Sequence, residues 1–369
     1  MVNDTDVFVI GGGPAGLAAA IAARRRGFRV VVADGNKPPI DKPCGEGLMP
    51  DSIAALQQLG VEIAPGEGYP LQGIKFLEKD KSATACFPAG PGVGLRRPIL
   101  HKKMLNQAAA LGVQFLWETP VTSIRENGVS LAGENFVPAK WIIGADGGQS
   151  RIRRWAGLES CNQKQSRLAW RAHFNVAPWS EYVEIHWAEN AQAYVTPVSA
   201  NEVCVVMASR NEDRDIRVAL KEFPQLASRL NGERLSRPAR GTITNMHRLK
   251  RVCHGNIALI GDASGSVDAI TGEGLSLSFH QAMALAEAME KDCLDLYQKA
   301  HRQLARRPTF MARLLLLLDG RTRLRHRTLT VFRHNPEVFA RLISIHVGET
   351  SPAHFAATGA LLGWRFLAA

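Results

Sequence analysis

Residues 6–34, DVFVIGGGPAGLAAAIAARRRGFRVVVAD, decide the predicted fold of this chain. The run Val7 to Ile10 is short and fully apolar, which is typical of a buried parallel strand. An alanine-rich helix follows to about Arg26, Gly27 ends it, and Phe28 to Ala33 form a second strand. This order of strand, helix and strand predicts the first unit of a parallel sheet that is covered by helices.

The turn between the first strand and the helix has the pattern G-x-G-x-x-G. Its first glycine allows a tight turn, its second lets the backbone approach a pyrophosphate, and its third lets the helix pack closely. The helix start offers free N–H groups and the positive end of the helix dipole to the phosphates. The pattern therefore predicts a dinucleotide site with contacts at Gly11, Gly13, Pro14, Ala15 and Gly16.

An acidic residue, Asp34, ends the second predicted strand about 20 residues after the glycines. Its carboxylate would accept hydrogen bonds from the adenosine ribose, and the adjacent Gly35 is part of the same predicted contact. The alternative is a glycine turn that binds no ligand. The strand, helix, second strand and terminal acid all occur in the expected order, which favours the ligand.

Two later segments carry a resemblance that specifies the dinucleotide. In residues 140–158, KWIIGADGGQSRIRRWAGL, an apolar strand leads into Asp146. In residues 256–289, NIALIGDASGSVDAITGEGLSLSFHQAMALAEAM, Asp262 follows a strand and a G-E-G turn opens a long helix. With the amino-terminal turn, these segments resemble the three fingerprints of the flavoprotein monooxygenase superfamily, whose fold is similar to that of p-hydroxybenzoate hydroxylase. Geranylgeranyl reductases and flavin-dependent halogenases belong to this superfamily. The resemblance covers about residues 6–300 and implies FAD as cofactor.

The third fingerprint also has a physical interpretation of its own. The Asp262 carboxylate can accept a hydrogen bond from a ribityl hydroxyl, and the alternative is an ordinary helix cap. Gly272 and Gly274 expose N–H groups at a helix start, where they can stabilise negative charge on a reduced flavin. For Asp146 the resemblance implies a site residue, but a carboxylate that braces its own loop is the stronger alternative.

Two more site residues follow from the resemblance. Arg97 precedes Leu100 at the start of an amphipathic helix, and the equivalent arginine of the family reaches the flavin chain. The alternatives are a solvated arginine at a helix start, or that Arg96 is the residue concerned. Val121, on a strand after Glu118, would face the adenine through its backbone.

The loop DKPCGEGLMP, residues 41–50, closely resembles the K-P-C-G segment of the geranylgeranyl reductases. The resemblance implies that Gly45 and Gly47 let the main chain lie against the flavin. Cys44 is a candidate catalytic residue, because a thiol beside a flavin can donate a proton to a reduced double bond. Its alternative role is that of a small buried packing residue. Glu46 is either an acid or a solvated turn residue.

The rest of the chain predicts an α/β fold of the α+β two-domain kind. Alternating polar and apolar residues between the second and third fingerprints predict antiparallel strands. A Rossmann-like FAD-binding domain is thus followed by an antiparallel β-sheet substrate domain and a C-terminal helical region. The predicted FAD-binding domain is discontinuous (1–72, 95–165 and 246–300), the substrate domain comprises 73–94 and 166–245, and the helical region comprises 301–369. Wall residues of the substrate pocket are expected among Trp170, Phe174, Tyr194 and Met207, with His173 and His186 as polar contacts.

Two reactions stay open at this point. QAYVTP, residues 192–197, lacks both tryptophans of the halogenase signature W-x-W-x-I-P, so halogenation is not expected. Gly265 and Ala269 depart from the aromatic hydroxylase pattern, and with the CGEG loop they indicate the geranylgeranyl reductase-like branch. Hydroxylation of a lipophilic aromatic or polyketide-type molecule is preferred narrowly over saturation of isoprenoid-type double bonds. No second G-x-G-x-x-G is present, so NAD(P)H or a partner would act as a transient reductant.

Charge and composition limit the partners and the compartment. The formal net charge is +11, yet no nucleic-acid recognition motif accompanies it, so an anionic cofactor or membrane surface is preferred. The six scattered cysteines include no CxxC pair, which argues against a zinc site and fits the cytoplasm. No signal peptide or transmembrane segment is expected. Arginines interleaved with leucines after about Ala300 predict basic helices that lie on the inner face of a membrane or cover the pocket.

Overall fold

The computed structural model describes a mixed α/β chain. The described residues are 5–133, 135–159, 167–209, 216–230, 232–233, 235–244 and 246–348. The apolar tail HFAATGALLGWRFLAA, expected to belong to the helical region, lies outside them. The helices are α1 (Pro14–Arg24), α2 (Pro50–Gln58), α3 (Arg97–Ala110), α4 (Arg151–Trp155), α5 (Ile216–Ala219), α6 (Pro224–Leu230), α7 (Gly274–Glu290), α8 (Leu294–Leu304), α9 (Arg306–Asp319), α10 (Thr322–His334) and α11 (Pro336–His346).

Most of the described strands belong to two large sheets. The strands are β1 (Thr5–Ile10), β2 (Val30–Ala33), β3 (Gly47–Leu48), β4 (Tyr69–Leu71), β5 (Gly73–Glu78), β6 (Lys81–Cys86), β7 (Gly92–Gly94), β8 (Gln114–Leu116), β9 (Val121–Arg125), β10 (Gly128–Leu131), β11 (Phe136–Gly144), β12 (Arg167–Phe174), β13 (Tyr182–Trp187), β14 (Ala191–Ser199), β15 (Glu202–Ser209), β16 (Leu235–Thr244), β17 (His247–Arg248), β18 (Cys253–His254), β19 (Ile257–Leu259) and β20 (Gly265–Ser266).

The first large sheet has the order β18-β19-β11-β1-β2-β8, and a hairpin of β9 and β10 extends from β11. β1 pairs in parallel with β11 and β2, which places it in the middle of the sheet. Val7, Phe8 and Val9 are fully buried there, as expected for a strand covered on both faces. The carboxyl ends of β1, β11 and β19 lie side by side, and these ends lead into the three glycine-containing fingerprints.

Helix α1 ends close to the position that the sequence predicts. Gly27 has a φ of +85°, and the N–H groups of Gly27 and Phe28 donate to the carbonyls of Arg24 and Ala23. These paired bonds form a Schellman motif with Gly27 at its left-handed position, so Gly27 ends the helix as predicted. The last α-helical residue is Arg24, within the one or two residues by which helix ends vary. The second strand accordingly begins at Val30 and not at Phe28. Helix α1 packs on α7, so that the starts of these two helices lie near the same edge of the sheet.

The second large sheet has the order β16-β12-β15-β14-β13-β5-β6. Its strands come from the stretches 73–86 and 167–244, which are separated by much of the first sheet. Neighbouring strands are antiparallel except β5 and β13, which pair in parallel. The prediction of an antiparallel sheet therefore fails at this one pair, because the chain leaves the sheet after β6 and re-enters it along a different edge.

The two faces of the second sheet have different coverings. On β12, Arg171 and His173 point to one face, while Trp170 and Phe174 point to the other. Trp170, Phe174 and Met207 pack with α5 and α6, so they lie on the opposite face from that predicted for a pocket wall. His186 also lies on their face, where it contacts Glu184. The alternation of polar and apolar residues correctly predicted which side chains share a face of the strand. It did not predict which helices cover that face.

Helices α9, α10 and α11 cover the first of these faces. Their buried residues form one apolar cluster with strands β5, β6 and β13 and with Ile270. Tyr194 packs against this cluster, which makes it the one expected wall aromatic on that side. The Arg325 guanidinium, 1% exposed, pairs with Glu78 at the end of β5 and fixes α10 to the sheet. None of the described helices is long and apolar enough to span a bilayer.

Candidate cofactor and active site

The glycine turn after β1 is shaped by close approaches of the backbone. Gly11 has a φ of +113°, and a Cβ there would overlap the carbonyl of Ala145 at the end of β11. A Cβ at Gly16 would overlap the carbonyl oxygen of Gly11. A Cβ at Gly13, by contrast, would meet no protein atom within 4 Å. Gly11 and Gly16 are therefore required by the protein itself, whereas Gly13 faces open space at the start of α1.

The end of β2 lies beside the start of β9, which brings together the predicted adenine-end residues. Asp34 Oδ2 accepts from the Gly12 N–H at 2.8 Å, and Oδ1 accepts from the backbone and side chain of Asn36. A carboxylate has about four acceptor positions, so Asp34 keeps one for a ribose hydroxyl. Gly35 is exposed nearby, and the side chain of Val121 is buried at the start of β9, so any ligand contact of Val121 would use its backbone.

Arg97 and Arg96 have different partners, which separates the two candidates. Arg97 begins α3, and its buried Nε has no hydrogen-bond partner among the described residues. Arg96 forms ion pairs with Glu202 and, at 3.6 Å, with Glu46. The buried Nε of Arg96 also lacks a hydrogen bond, so the ion pairs make the difference. Arg96 is used within the protein, while Arg97 forms no ion pair with the described residues and is available to a ligand.

Asp262 lies in the short turn after β19, where its carbonyl accepts from the Gly265 N–H but its carboxylate makes no cap hydrogen bond. The residue is exposed, yet the protein atoms that surround its carboxyl group raise the pKa of that group by desolvation. Arg97 and Lys42 are close enough to oppose this rise. The Asp262 carboxylate thus lies near the two cations Arg97 and Lys42, and it does not cap a helix.

The start of α7 offers a further open surface. Gly272 has a φ of +67°, and a Cβ at Gly272 or at Gly274 would meet no protein atom within 4 Å. The same is true of Gly45 in the loop after β2. These glycines, together with Gly13, Arg97 and Asp262, define what we call the cofactor groove. Gly272 is also favoured by its positive φ. Glycines such as Gly13, Gly45 and Gly274, at which a Cβ would meet no protein atom, are expected where a ligand lies against the main chain.

Asp146 has local partners that account for its carboxylate. It accepts hydrogen bonds from Ser150 Oγ, from the Arg151 N–H at 2.7 Å and from the Ile152 N–H at 3.2 Å. Ser150 in turn caps α4 by accepting from the Arg153 N–H. Both oxygens of Asp146 are thus used to hold its loop, which is the bracing role considered for it from the sequence.

The loop of residues 41–47 is fixed to the second sheet by buried charges. Arg171, 2% exposed, binds both carboxylate oxygens of Asp41 at 2.7 and 2.9 Å and lies 3.3 Å from Glu46. His173 Nε2 lies 2.7 Å from the other oxygen of Glu46. The Arg97 N–H also donates to Glu46, at 3.0 Å. Glu46 is therefore a buried anchor, neither a solvated turn residue nor a free acid.

The same cluster includes a thiol, but its geometry does not favour a metal ion. Ligand atoms of Glu46, His173 and Cys204 lie within 4.8 Å of one another. Both oxygens of Glu46 already contact Arg171 and His173, and two arginines lie at the site. Neighbouring guanidinium groups would repel a divalent cation. Burial raises the pKa of Cys204 well above its usual value, which keeps it as a neutral thiol.

Cys44 is half-buried in this loop, next to the cofactor groove. Its Sγ accepts from the Glu46 N–H at 3.4 Å, and its carbonyl accepts from the Cys204 thiol at 3.7 Å. Both contacts fix the backbone and rotamer of Cys44. A thiol held in this way can either fill space or donate a proton to a ligand.

Several residues that shape the groove were missed from the sequence. His101 is fully buried, and its Nε2 lies 2.9 Å from the carbonyl of Gly12 in the glycine turn. Its position one helical turn after Arg97 was an available signal. Lys42 belongs to the K-P-C-G segment, which was its available signal. Arg171 gave no signal, because its role depends on the pairing of a strand far away in the chain.

The residues present fit a bound FAD. Open glycines at the starts of two helices, an arginine whose buried Nε has no hydrogen bond, and an acid without an ion pair among the described residues lie at one edge of the first sheet. Helix starts favour the anionic pyrophosphate, and the acid suits a ribityl hydroxyl. A bound flavin would supply hydride or oxygen chemistry at this edge.

Comparison with known proteins agrees with this geometry. The chain matches the FAD binding domain family over residues 4–306. It is 26% identical over 315 residues to menaquinone reductase of Mycobacterium tuberculosis, covering 78% of this chain and 77% of that protein. It is 28% identical over 315 residues to digeranylgeranylglycerophospholipid reductase of Picrophilus torridus, covering 78% of each. A flavoprotein/dehydrogenase structure from Cytophaga hutchinsonii has a TM-score of 0.82 at 21% identity, covering 93% of this chain and 92% of that one.

These similarities extend over both large sheets and not only over the glycine turn. The resemblance to the flavoprotein monooxygenase superfamily, and to its geranylgeranyl reductase-like branch, is confirmed. The expected α/β class with a Rossmann-like sheet and a second sheet is also confirmed. The chain belongs to the FAD binding domain family and is an FAD-dependent oxidoreductase.

Proposed function

We propose that this protein is an FAD-dependent reductase that saturates isoprenoid-type double bonds of a lipophilic substrate. The observation that carries the proposal is the CGEG loop, whose Cys44 is held beside the cofactor groove by a buried charge cluster. Two curated relatives that match more than three quarters of the chain are named as reductases, one of menaquinone and one of a digeranylgeranyl lipid. This support reverses the narrow preference for hydroxylation drawn from the sequence.

The chain's own residues would provide binding and a proton. Saturation of a double bond adds a hydride to one carbon and a proton to the other, and FAD reduced by NAD(P)H supplies the hydride. Cys44 is the candidate proton donor, because its thiol is fixed and half-buried at the groove. The apolar cluster formed by the second sheet with α9–α11 includes Ile270, which lies two residues before Gly272 of the cofactor groove. A lipid chain would enter from this side.

Hydroxylation is the second candidate. The fold is also shared with a flavin-dependent brominase, at a TM-score of 0.75 and 17% identity. The site excludes neither reaction, because both need a flavin at the edge of an apolar cluster. In hydroxylation the chain would exclude water and orient an electron-rich ring.

Oxygen dependence separates the two reactions. Purified protein with FAD, a polyprenyl lipid and NADPH or NADH would be assayed under air and under argon. The reductase proposal expects the saturated product, two mass units heavier per bond, under argon. A product that gains an oxygen atom and forms only under air contradicts it.

Cys44 can be tested in the same assay. Cys44→Ser should slow saturation by about 10²-fold or more, since general acid catalysis typically contributes that much. Cys293→Ser is the matched control, because Cys293 is also half-buried but caps α8 away from the groove. Equal rates for both variants would remove Cys44 from catalysis and leave water as the proton source.

We also propose that the C-terminal helices bind an anionic membrane surface from the cytoplasmic side. Residues 306–334 contain a single acid, Asp319, which is buried, while Leu317 is 42% exposed. The exposed arginines of this segment are Arg306, Arg313, Arg321, Arg323, Arg327 and Arg333. Sedimentation with anionic vesicles, absent with zwitterionic vesicles and lost at high salt, is the expected result, each arginine contributing about 1 kcal/mol. Equal binding to both lipids contradicts the proposal.

A further inference from the structure

Glu273 lies at the turn that opens α7, between the two glycines assigned to the cofactor groove. Its backbone precedes the first helical residue, Gly274, but its side chain does not cap the helix. The residue is 1% exposed, so its carboxyl group lies beneath the turn and not in the groove. Neither carboxylate oxygen has a hydrogen bond of good geometry with the described residues.

The groups around Glu273 come from four helices. Arg307 Nε of α9 lies 3.4 Å away and His346 Nδ1 of α11 lies 3.5 Å away. Asp51 of α2 shares Arg307, at 3.2 Å from Nη2, and accepts a hydrogen bond from the Ser276 hydroxyl. His280 of α7 is the other titratable group near this cluster. Glu273 thus has one cation, one competing anion and two histidines as ionisable neighbours in the described structure.

The ionisation of this cluster near neutral pH is dominated by Glu273. Burial raises the pKa of Glu273 to about 8, although Arg307 opposes the rise. Burial lowers the pKa of His346 to about 4 and also lowers that of His280. Both histidines are therefore neutral from pH 7 upwards, while Glu273 changes from an acid to an anion within that range.

We propose that Glu273 is a positioning residue for the flavin, which as a neutral acid keeps the Gly272–Gly274 turn free of negative charge. Loss of its proton places an anion directly beneath the turn that offers N–H groups to the cofactor. That anion weakens the positive potential of the helix start and so weakens FAD binding. The proposal rests on FAD binding and holds for either reaction considered above.

Linkage gives the proposal a readout other than activity. If ionised Glu273 disfavours FAD, then FAD must raise the pKa of Glu273 by the same factor. Binding of FAD near pH 8 should therefore take up a fraction of a proton. Calorimetric titration of the apoprotein with FAD, in buffers of different ionisation enthalpy, measures this uptake directly.

The matched variants are Glu273→Gln and Glu287→Gln. Glu287 lies on the same helix but is exposed and pairs with Lys291. For the wild-type protein and for Glu287→Gln, the dissociation constant of FAD should rise about tenfold between about pH 7 and pH 9.5, the order expected for one nearby charge. For Glu273→Gln the rise and the proton uptake should both disappear.

Arg307→Gln provides an independent test if Glu273→Gln folds poorly. Arg307 favours the ionised form of Glu273, so its loss should move the rise in dissociation constant to higher pH. A pH profile of FAD affinity that is the same in Glu273→Gln and the wild-type protein overturns the proposal. A flat wild-type profile, without proton uptake, also overturns it.

Discussion

Gly13 shows at the scale of one residue how a ligand site differs from a folding requirement. Among the three glycines of the G-x-G-x-x-G pattern, Gly11 and Gly16 each lie against backbone atoms, while Gly13 does not. The sequence pattern treats all three alike. The structure distinguishes the glycine that leaves open space from those that the packing of the chain requires.

Gly13→Val should therefore fold but bind FAD poorly. A Cβ at this position meets no protein atom within 4 Å, while the valine side chain would occupy the space of the predicted pyrophosphate contact. Loss of one or two charge-assisted hydrogen bonds predicts an increase of about 10²-fold in the dissociation constant. Fluorescence titration measures the affinity, and thermal unfolding of the apoprotein should remain as in the wild type. Gly16→Val, by contrast, should destabilise the apoprotein.

The adjacent pair Arg96 and Arg97 gives a second prediction. Arg97→Met should weaken FAD binding about tenfold or more and leave stability nearly unchanged, because the Arg97 guanidinium group, unlike that of Arg96, forms no ion pair with the described residues. Arg96→Met should lower the free energy of unfolding by about 2–3 kcal/mol, because Glu46 and Glu202 lose a partner. Urea unfolding and FAD titration of both variants check the assignment, and an exchange of the two phenotypes would contradict it.

At the scale of elements, strand β12 and the loop of residues 41–47 act together. Arg171 projects from the middle of β12 and binds Asp41 and Glu46. The loop with the open Gly45 is therefore held by the second sheet, although it directly follows a strand of the first. This link explains how a loop rich in glycine and proline can keep Cys44 at a fixed place.

Arg171→Met should release this loop. Removal of one partner from a buried ionic cluster predicts a loss of about 3–5 kcal/mol in the free energy of unfolding. Burial acts to raise the pKa of Asp41, but the hydrogen bonds and charge of Arg171 hold that pKa below its usual value. The stabilising effect is thus complete above the unfolded pKa of 3.8 and is lost as pH falls through the lower folded pKa. The stability of the Arg171→Met variant should therefore depend less on pH in the acid range than that of the wild-type protein. An equal pH dependence of the two proteins would contradict the role of the Arg171–Asp41 pair.

Local patterns predicted the elements better than their contacts. Some features depend only on residues that are neighbours in the chain. These are the apolar strand β1, the glycine turn and the helix end at Gly27, and the sequence predicted all of them. Register and burial of polar residues depend on partners that are distant in the chain. Glu46 was therefore taken for an acid or a solvated turn, and Trp170 was placed on the wrong face of β12.

At the scale of the whole molecule, the cofactor groove joins segments that are far apart in the chain. Its residues come from the starts of α1, α3 and α7, from the loop after β2 and from the turn after β19. A ligand that contacts all of these segments stabilises the folded state without binding the unfolded chain.

FAD should therefore raise the melting temperature of the whole protein. At a free FAD concentration of about 100 times its dissociation constant, the gain is about 2.7 kcal/mol. For a chain of 369 residues this corresponds to roughly 3–4 °C. Circular dichroism and tryptophan fluorescence should report the same shift, and Gly13→Val should show little of it. A shift seen only in one probe would indicate that the two sheets respond separately.

The threading of the chain between the two sheets has a consequence for its synthesis. β5 and β6 enter the second sheet early, β12–β16 return to it, and only then does β19 pair with β11 in the first sheet. Neither sheet can be completed on the ribosome before most of the polypeptide has emerged. Unpaired edges of β11 and β5 are therefore exposed during translation, and such edges are prone to aggregation. Slowing elongation after residue 260 should leave the soluble yield unchanged, whereas delays before it should lower that yield.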